Sequence, residues 1–235
     1  MAIQYASTST YGTDMGVSMV IYGPSGVGKT TLAGTLPRDE TIILSTEHRL
    51  LPLRGKGMHA YELDTYEDVV AMYNTLAADP NFAGVKYVVL DSATECGEKT
   101  LISSQTKIRD GRQAYMDMQQ KSIALFRMFR DMKKHTILLF KEEQQKDALG
   151  NVRVGPAMPG QKLGPQIPYL FDEVFYMGIS ETAGPDGKSV KSRYLLTDAT
   201  STHTAKDASG SLDMYEPPDL FHIINKIQTT PPKGH

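Results

Sequence analysis

"GVSMVIYGPSGVGKTTLAGTL", residues 16 to 36, decides how this chain folds. Its opening, 16 to 23, is largely apolar and β-branched and reads as a buried strand; Thr30 to Leu36 read as a helix. Between them Gly23 to Thr30 complete the pattern G-x-x-x-x-G-K-[ST], in the strand, loop, helix context that gives it meaning. The glycines let backbone N–H groups along Gly23, Pro24, Ser25, Gly26, Val27, Gly28, Lys29, Thr30 and Thr31 close around phosphate oxygens, proline itself supplying no donor. Lys29 is placed to reach the β and γ phosphates of a nucleotide, and the Thr30 hydroxyl to bind Mg²⁺. A Gly turn of purely structural purpose is the bland alternative and carries little weight. Ser25 makes no hydrolase elbow, because Val27 stands where G-x-S-x-G needs its last glycine.

Working outward, "ETIILSTE" (40 to 47), "VKYVVLDS" (85 to 92) and "HTILLF" (135 to 140) read as further buried strands. Helices are expected over 65 to 80 and over 115 to 134, where Met118, Ser122, Leu125, Met128, Phe129 and Met132 recur at helical spacing. Alternation of this kind implies right-handed crossovers and a mainly parallel twisted sheet covered by helices on both faces, an α/β fold. Residues 141 to 156 predict a hairpin turning near Leu149-Gly150-Asn151, and 158 to 168 a Pro/Gly loop. A C-terminal antiparallel pair is expected from 171 to 180 and 192 to 200, joined across Pro185-Asp186-Gly187. One domain over 16 to 227 is expected, with flexible segments at 1 to 15 and 228 to 235.

Composition narrows the class. With 40% hydrophobic and 22% charged residues the 235-residue chain has ordinary globular makeup, and no run is apolar and long enough to span a membrane. A lone cysteine, Cys96, permits no internal disulfide, and the scattered histidines have no zinc spacing, so a reducing, cytoplasmic setting is expected. The net charge of -2 excludes a uniformly basic coat. Residues 98 to 134 nevertheless hold nine Lys/Arg against four acids, +5 there and -7 elsewhere.

A phosphate loop wants a second strand that ends on a carboxylate for the magnesium shell, and "YVVLDS" supplies Asp91. Hydrolysis also needs a group to orient or deprotonate water. The residue after Asp91 is Ser92, so that carboxylate must come from elsewhere. C-terminal ends of neighbouring parallel strands share one rim, which makes Glu47 the candidate and Glu95 its competitor. Either can equally be a solvated surface carboxylate.

The loop, then "STEHRL" (45 to 50), then "VVLDSATE" (88 to 95) resembles the ATPase core of RecA-type P-loop NTPases. More closely, "GPAMPGQKLGPQIPYLFDEVFYM" (155 to 177) and "TAKDASGSLDMYEPPDLFHII" (204 to 224) are similar to small phage RecA-like ATPases of the Sak single-strand annealing group. The resemblance implies ATP and Mg²⁺ as ligands, Glu47 for water activation, Asp91 and Thr30 for the metal, and Lys206 as a cation reaching a neighbouring subunit's site. It further implies recombination on single-stranded DNA, by annealing or strand pairing, in a phage-infected host. Self-association into a ring or filament with ATP at the interface, and a single-strand-binding protein as partner, belong to the same implication. Where RecA proteins end the fourth core strand on Asn-Gln, this chain has Phe140-Lys141-Glu142, leaving Lys141 or Gln144 to sense the γ-phosphate. DNA contacts are expected from Lys107, Arg109 and Arg112 and from Lys146, Arg153 and Lys162, since cations on loops suit a single strand's phosphates. A solvated basic face is the plainer reading of the same residues. Two other functions fit the motifs: a nucleotide-switched binding module that scarcely hydrolyses, and a helicase-loading or partner-remodelling ATPase acting on protein.

Overall fold

The computed structural model describes residues 16–146, 150–183 and 188–233. The chain runs β1 (Ser18–Tyr22), α1 (Lys29–Ala33), β2 (Thr41–Ser45), β3 (His59–Glu62), α2 (Tyr66–Ala78), β4 (Tyr87–Asp91), α3 (Ala93–Lys107), α4 (Gly111–Arg130) and β5 (His135–Phe140). It continues with β6 (Glu142–Lys146), β7 (Val152–Pro156), β8 (Glu173–Ala183), β9 (Ser189–Leu196), β10 (Lys206–Asp207), β11 (Tyr215–Glu216) and α5 (Leu220–Thr229). The main sheet has the order β11-β9-β8-β1-β5-β4-β2-β3, with β10 pairing β8. From β8 to β3 all neighbours are parallel, and β9 returns antiparallel to β8. This is the expected mixed α/β architecture of a P-loop NTPase, with a C-terminal antiparallel hairpin.

Strand residues alternate between two cores. Val20, Tyr22, Leu44, Leu90, Leu138 and Phe140 face α2, α3 and α4, while Met19, Ile21, Ile43, Val89, Ile137 and Leu139 face α1 and α5. Burial on both faces explains why these strands read as unbroken apolar runs. Side-chain caps fix the helix starts. Thr65 and Asp68 form a reciprocal capping box for α2, and Ser92, Asp110 and Asp219 accept N–H bonds at α3, α4 and α5. Each such cap contributes about 1 kcal/mol.

Several expectations change. The helix after the loop stops at Ala33 rather than Leu36: the C-cap Gly34 leaves helical geometry at ψ 11°, and its N–H bonds back to Thr31 O in a tighter turn. Strand β3 and helix α5 were not expected: β3 is exposed along its length and has no apolar run to announce it. Residues 158 to 168 are more than a loop, since Leu163 and Ile167 are fully buried and a short 3₁₀ turn covers Gly164–Tyr169. The hairpin of β6 and β7 is present with Lys146 opposite Val152, as is that of β8 and β9. Leu149 and Pro185-Asp186-Gly187 lie outside the described residues, as do residues 1 to 15. Gln228 and Thr229, expected in a flexible tail, complete α5, and Lys233 donates to Leu212 O at 2.9 Å.

In the helical stripe Met118, Ser122, Leu125, Phe129 and Met132 are buried as expected, whereas Met128 is only half-buried. Phe126 is fully buried, edge-on to Phe140 with centroids 5.8 Å apart. Phe126→Ala is expected to cost about 3–5 kcal/mol by leaving a cavity under the sheet. Urea unfolding measures this; a loss below about 1 kcal/mol would show that α4 can collapse onto the space.

Candidate functional site

The phosphate loop leaves β1 at Gly23, and here glycine is required sterically: a Cβ would lie 2.4 Å from Met177 O on β8. Gly26 and Gly28 have φ of 78° and 109°, the left-handed region that glycine tolerates. The Lys29 ammonium donates to Gly23 O at 2.7 Å and Pro24 O at 2.9 Å, folding back over its own loop. Burial lowers its pKa, against the opposing pull of Asp91, Glu142 and Glu47. Carbonyl contacts of this kind are exchangeable for phosphate oxygens, which a cation binds more strongly.

Strand β5 lies between β1 and β4, and β2 lies on the far side of β4. The parallel register brings the C-terminal ends of all four to one rim, where Thr30 Oγ1 donates to Asp91 Oδ2 at 2.6 Å. Burial raises the pKa of Asp91, while Thr30 and Lys29 offset part of that cost. A buried carboxylate and a hydroxyl in direct contact form a pair of hard oxygen donors. They suit Mg²⁺, which binds one or two protein oxygens and completes its shell with water and phosphate. No group of three or more His, Cys, Asp or Glu positioned to hold a metal exists among the described residues, so the protein's share of such a shell would be this pair.

Glu47 stands two residues past β2. Ser92 Oγ donates to its Oε1 at 2.6 Å, and Lys141 Nζ lies 3.3 Å from the same atom. Burial would raise the Glu47 pKa, yet the Ser92 hydroxyl and Lys141 together hold it below the ordinary carboxylate value. Thr46 fixes this strand end against β4, its hydroxyl donating to Ser92 O at 2.8 Å. Lys141, just past β5, also reaches Glu95 Oε2 at 3.2 Å, so one ammonium links both candidate carboxylates. They share a cleft of about 240 Å³ with His48, Arg49 and Lys99. His48 adopts φ 56° and holds Glu62 and Asp64 at 3.4 Å and 2.9 Å, which turns the chain sharply after Glu47. Gln144 is exposed on β6.

Lys206 lies away from the rim of its own chain. Its ammonium donates to Pro168 O at 3.1 Å and to Phe171 O, and its register partner Val174 lies near the start of β8. That is the end of the sheet opposite the phosphate loop of its own chain.

The six expected DNA contacts do not gather into one stripe. Lys107 is paired with Glu67 at 2.7 Å, while Arg109 and Arg112 are exposed around the α3–α4 turn. Lys146 and Arg153 are exposed on β6 and β7 but occupy alternate positions of the ladder, opposite Val152 and Gln145, and so point to opposite sides of the hairpin. Lys162 is exposed in the loop beyond.

Sheet, loop and carboxylate rim together define a P-loop nucleotide-binding ATPase. The family model for the AAA domain matches residues 15–209, most of the chain, and the chain belongs to that family. A search of curated proteins finds none that matches. Family members of this type use ATP and Mg²⁺. No helix among the described residues is long and apolar enough to cross a membrane.

Proposed function

We propose that this chain is a Mg²⁺-dependent ATPase in which Glu47, carried by the strand next to that of Asp91, orients or deprotonates the attacking water. The observation that carries this is the pair of 2.6 Å contacts, Thr30 to Asp91 and Ser92 to Glu47, made by consecutive residues of one strand end. Adjacent Asp91 and Ser92 thereby tie the metal-binding oxygens and the base to one backbone segment. Bound Mg²⁺ would neutralise charge on the transferring phosphoryl group. Lys29 would leave its loop carbonyls for the phosphates, and Lys141 would exchange Glu95 or Glu47 for the γ-phosphate.

The substrate of the assembly, on this reading, is single-stranded DNA, in annealing or strand pairing by a ring or filament with ATP at subunit interfaces. Support comes from the motif resemblance to phage RecA-like ATPases and from exposed Arg109, Arg112, Lys146, Arg153 and Lys162. The test is ATP hydrolysis with and without single-stranded DNA from low to high salt. DNA stimulation that fades as salt rises is expected, because phosphate contacts release counterions. Hydrolysis indifferent to DNA would remove the recombination reading. If a protein partner raises it instead, the chain is a remodelling ATPase; if turnover is absent although ATP binds, it is a nucleotide switch.

A further inference from the structure

Beyond the end of β1 the strand β8 continues with β9. Tyr22, the last residue of β1, pairs with Tyr176, and residues 177 to 183 run on past the rim with β9 as their partner. This two-stranded arm stands beside the phosphate loop. Met177 O crowds Gly23 from one position, and Arg193, opposite Ile179 on β9, approaches from another. The Arg193 Nε donates to Val27 O at 2.7 Å. A Cβ placed on Gly28 would lie 3.3 Å from that Nε and 3.6 Å from Cδ, so the side chain lies directly over the loop. Among the described residues Arg193 makes this one hydrogen bond and no ion pair, which leaves both terminal nitrogens without a protein partner. Its neighbour Lys191, by contrast, is paired with Glu181 at 2.9 Å.

We propose that Arg193 is a nucleotide-binding residue acting in cis, its guanidinium anchored on Val27 O by Nε and presenting its terminal nitrogens to the α and β phosphates. This rests on the reading of Gly23 to Thr30 as a nucleotide-phosphate loop. The phosphates follow from position, because Val27 and Gly28 belong to the backbone that cradles α and β oxygens, whereas the γ end is the province of Lys29. Arginine suits the task where lysine does not. Its fork can hold a carbonyl with one nitrogen and a phosphate with two others, while an ammonium is a single point.

Equilibrium binding of fluorescent ATP and fluorescent ADP in Mg²⁺, on the full chain, tests this with Arg193→Ala and Arg193→Lys. Melting temperatures are recorded without nucleotide. Arg193→Ala is expected to weaken ATP and ADP alike by about tenfold or more, the worth of a charge-assisted hydrogen bond. Arg193→Lys, able to reach Val27 O but not a phosphate at the same time, is expected to melt as the parent does and yet leave most of the loss. Wild-type-like affinity in Arg193→Ala, full recovery in Arg193→Lys, or a loss confined to ATP would each overturn the inference. A parent protein that melts normally but binds neither nucleotide would overturn the loop reading as well.

Discussion

Glu47→Gln is expected to slow ATP hydrolysis by about 10²–10⁴-fold, the usual worth of a positioned general base, and to leave ATP affinity within about twofold. The substitution is nearly isosteric: the amide oxygen can still accept from Ser92 Oγ, which now sits 2.6 Å from Oε1, so the strand end keeps its shape. What disappears is the negative charge, and with it the capacity to take a proton. The phosphate loop is untouched, so binding should survive, whereas Lys29→Ala should lose both binding and turnover. Glu95→Gln is the paired control. Glu95 is the more exposed of the two, 33% against 19% by side chain, and is held only through Lys141 and as part of the first turn of α3. If the loss follows Glu95→Gln and spares Glu47→Gln, the roles are exchanged and Glu47 is a structural partner of Ser92.

Glu173→Gln is expected to stabilise the fold and to flatten its dependence on pH above about 4.5. Glu173, at the start of β8, is 2% exposed and lies opposite Asp207 on β10, with Asp172 beside it in the chain. Ser209 N donates to its Oε1 at 3.2 Å, and its Oε2 has no hydrogen-bond partner among the described residues. Burial, reinforced by Asp207, raises the Glu173 pKa to about 9. The folded protein therefore keeps a proton here that the unfolded chain releases once pH passes its ordinary value of 4.5. Stability contributed by the neutral form is fully present below that value and is lost as pH rises toward 9, at up to about 1.4 kcal/mol per pH unit. A glutamine amide supplies permanently what protonation supplies conditionally, a neutral group with a donor to offer Asp207. Urea unfolding from pH 5 to pH 9 measures the difference. Parallel curves for the two proteins would show that Glu173 is ionised in the fold and that Asp207 does not face it as a like charge.

The buried strands and the phosphate loop were legible because their information is local. An apolar run in a parallel sheet reports burial on both faces, and the glycines at 26 and 28 report backbone angles that other residues avoid. Asp91 was legible for the same reason, as the polar end of such a run. Strand β3 was not, since four exposed residues leave no apolar signature, and its place beside β2 is set by backbone pairing that any side chain permits. Helix α5, whose apolar face packs under β1, was missed although Asp219 as its cap and the helical spacing of Leu220, Ile223, Ile224 and Ile227 were local signals for it.

The surroundings of each charge were the least legible in the sequence. Lys206 and Lys107 meet residues distant in the chain: Pro168 and Phe171 for the first, Glu67 for the second. Arg193 carried no signal at all, because its place over the loop rests on a bond to Val27 across 166 positions. Sequence alone determined that a phosphate loop, a buried sheet and a strand-end aspartate exist, since backbone angles and burial are properties of the residue and its neighbours. Only the tertiary structure decided which carboxylate meets Ser92, which cation lies over the loop and which carbonyls or carboxylates each lysine meets, because a charge acts through whatever lies within a few ångströms, and folding, not sequence distance, chooses those neighbours.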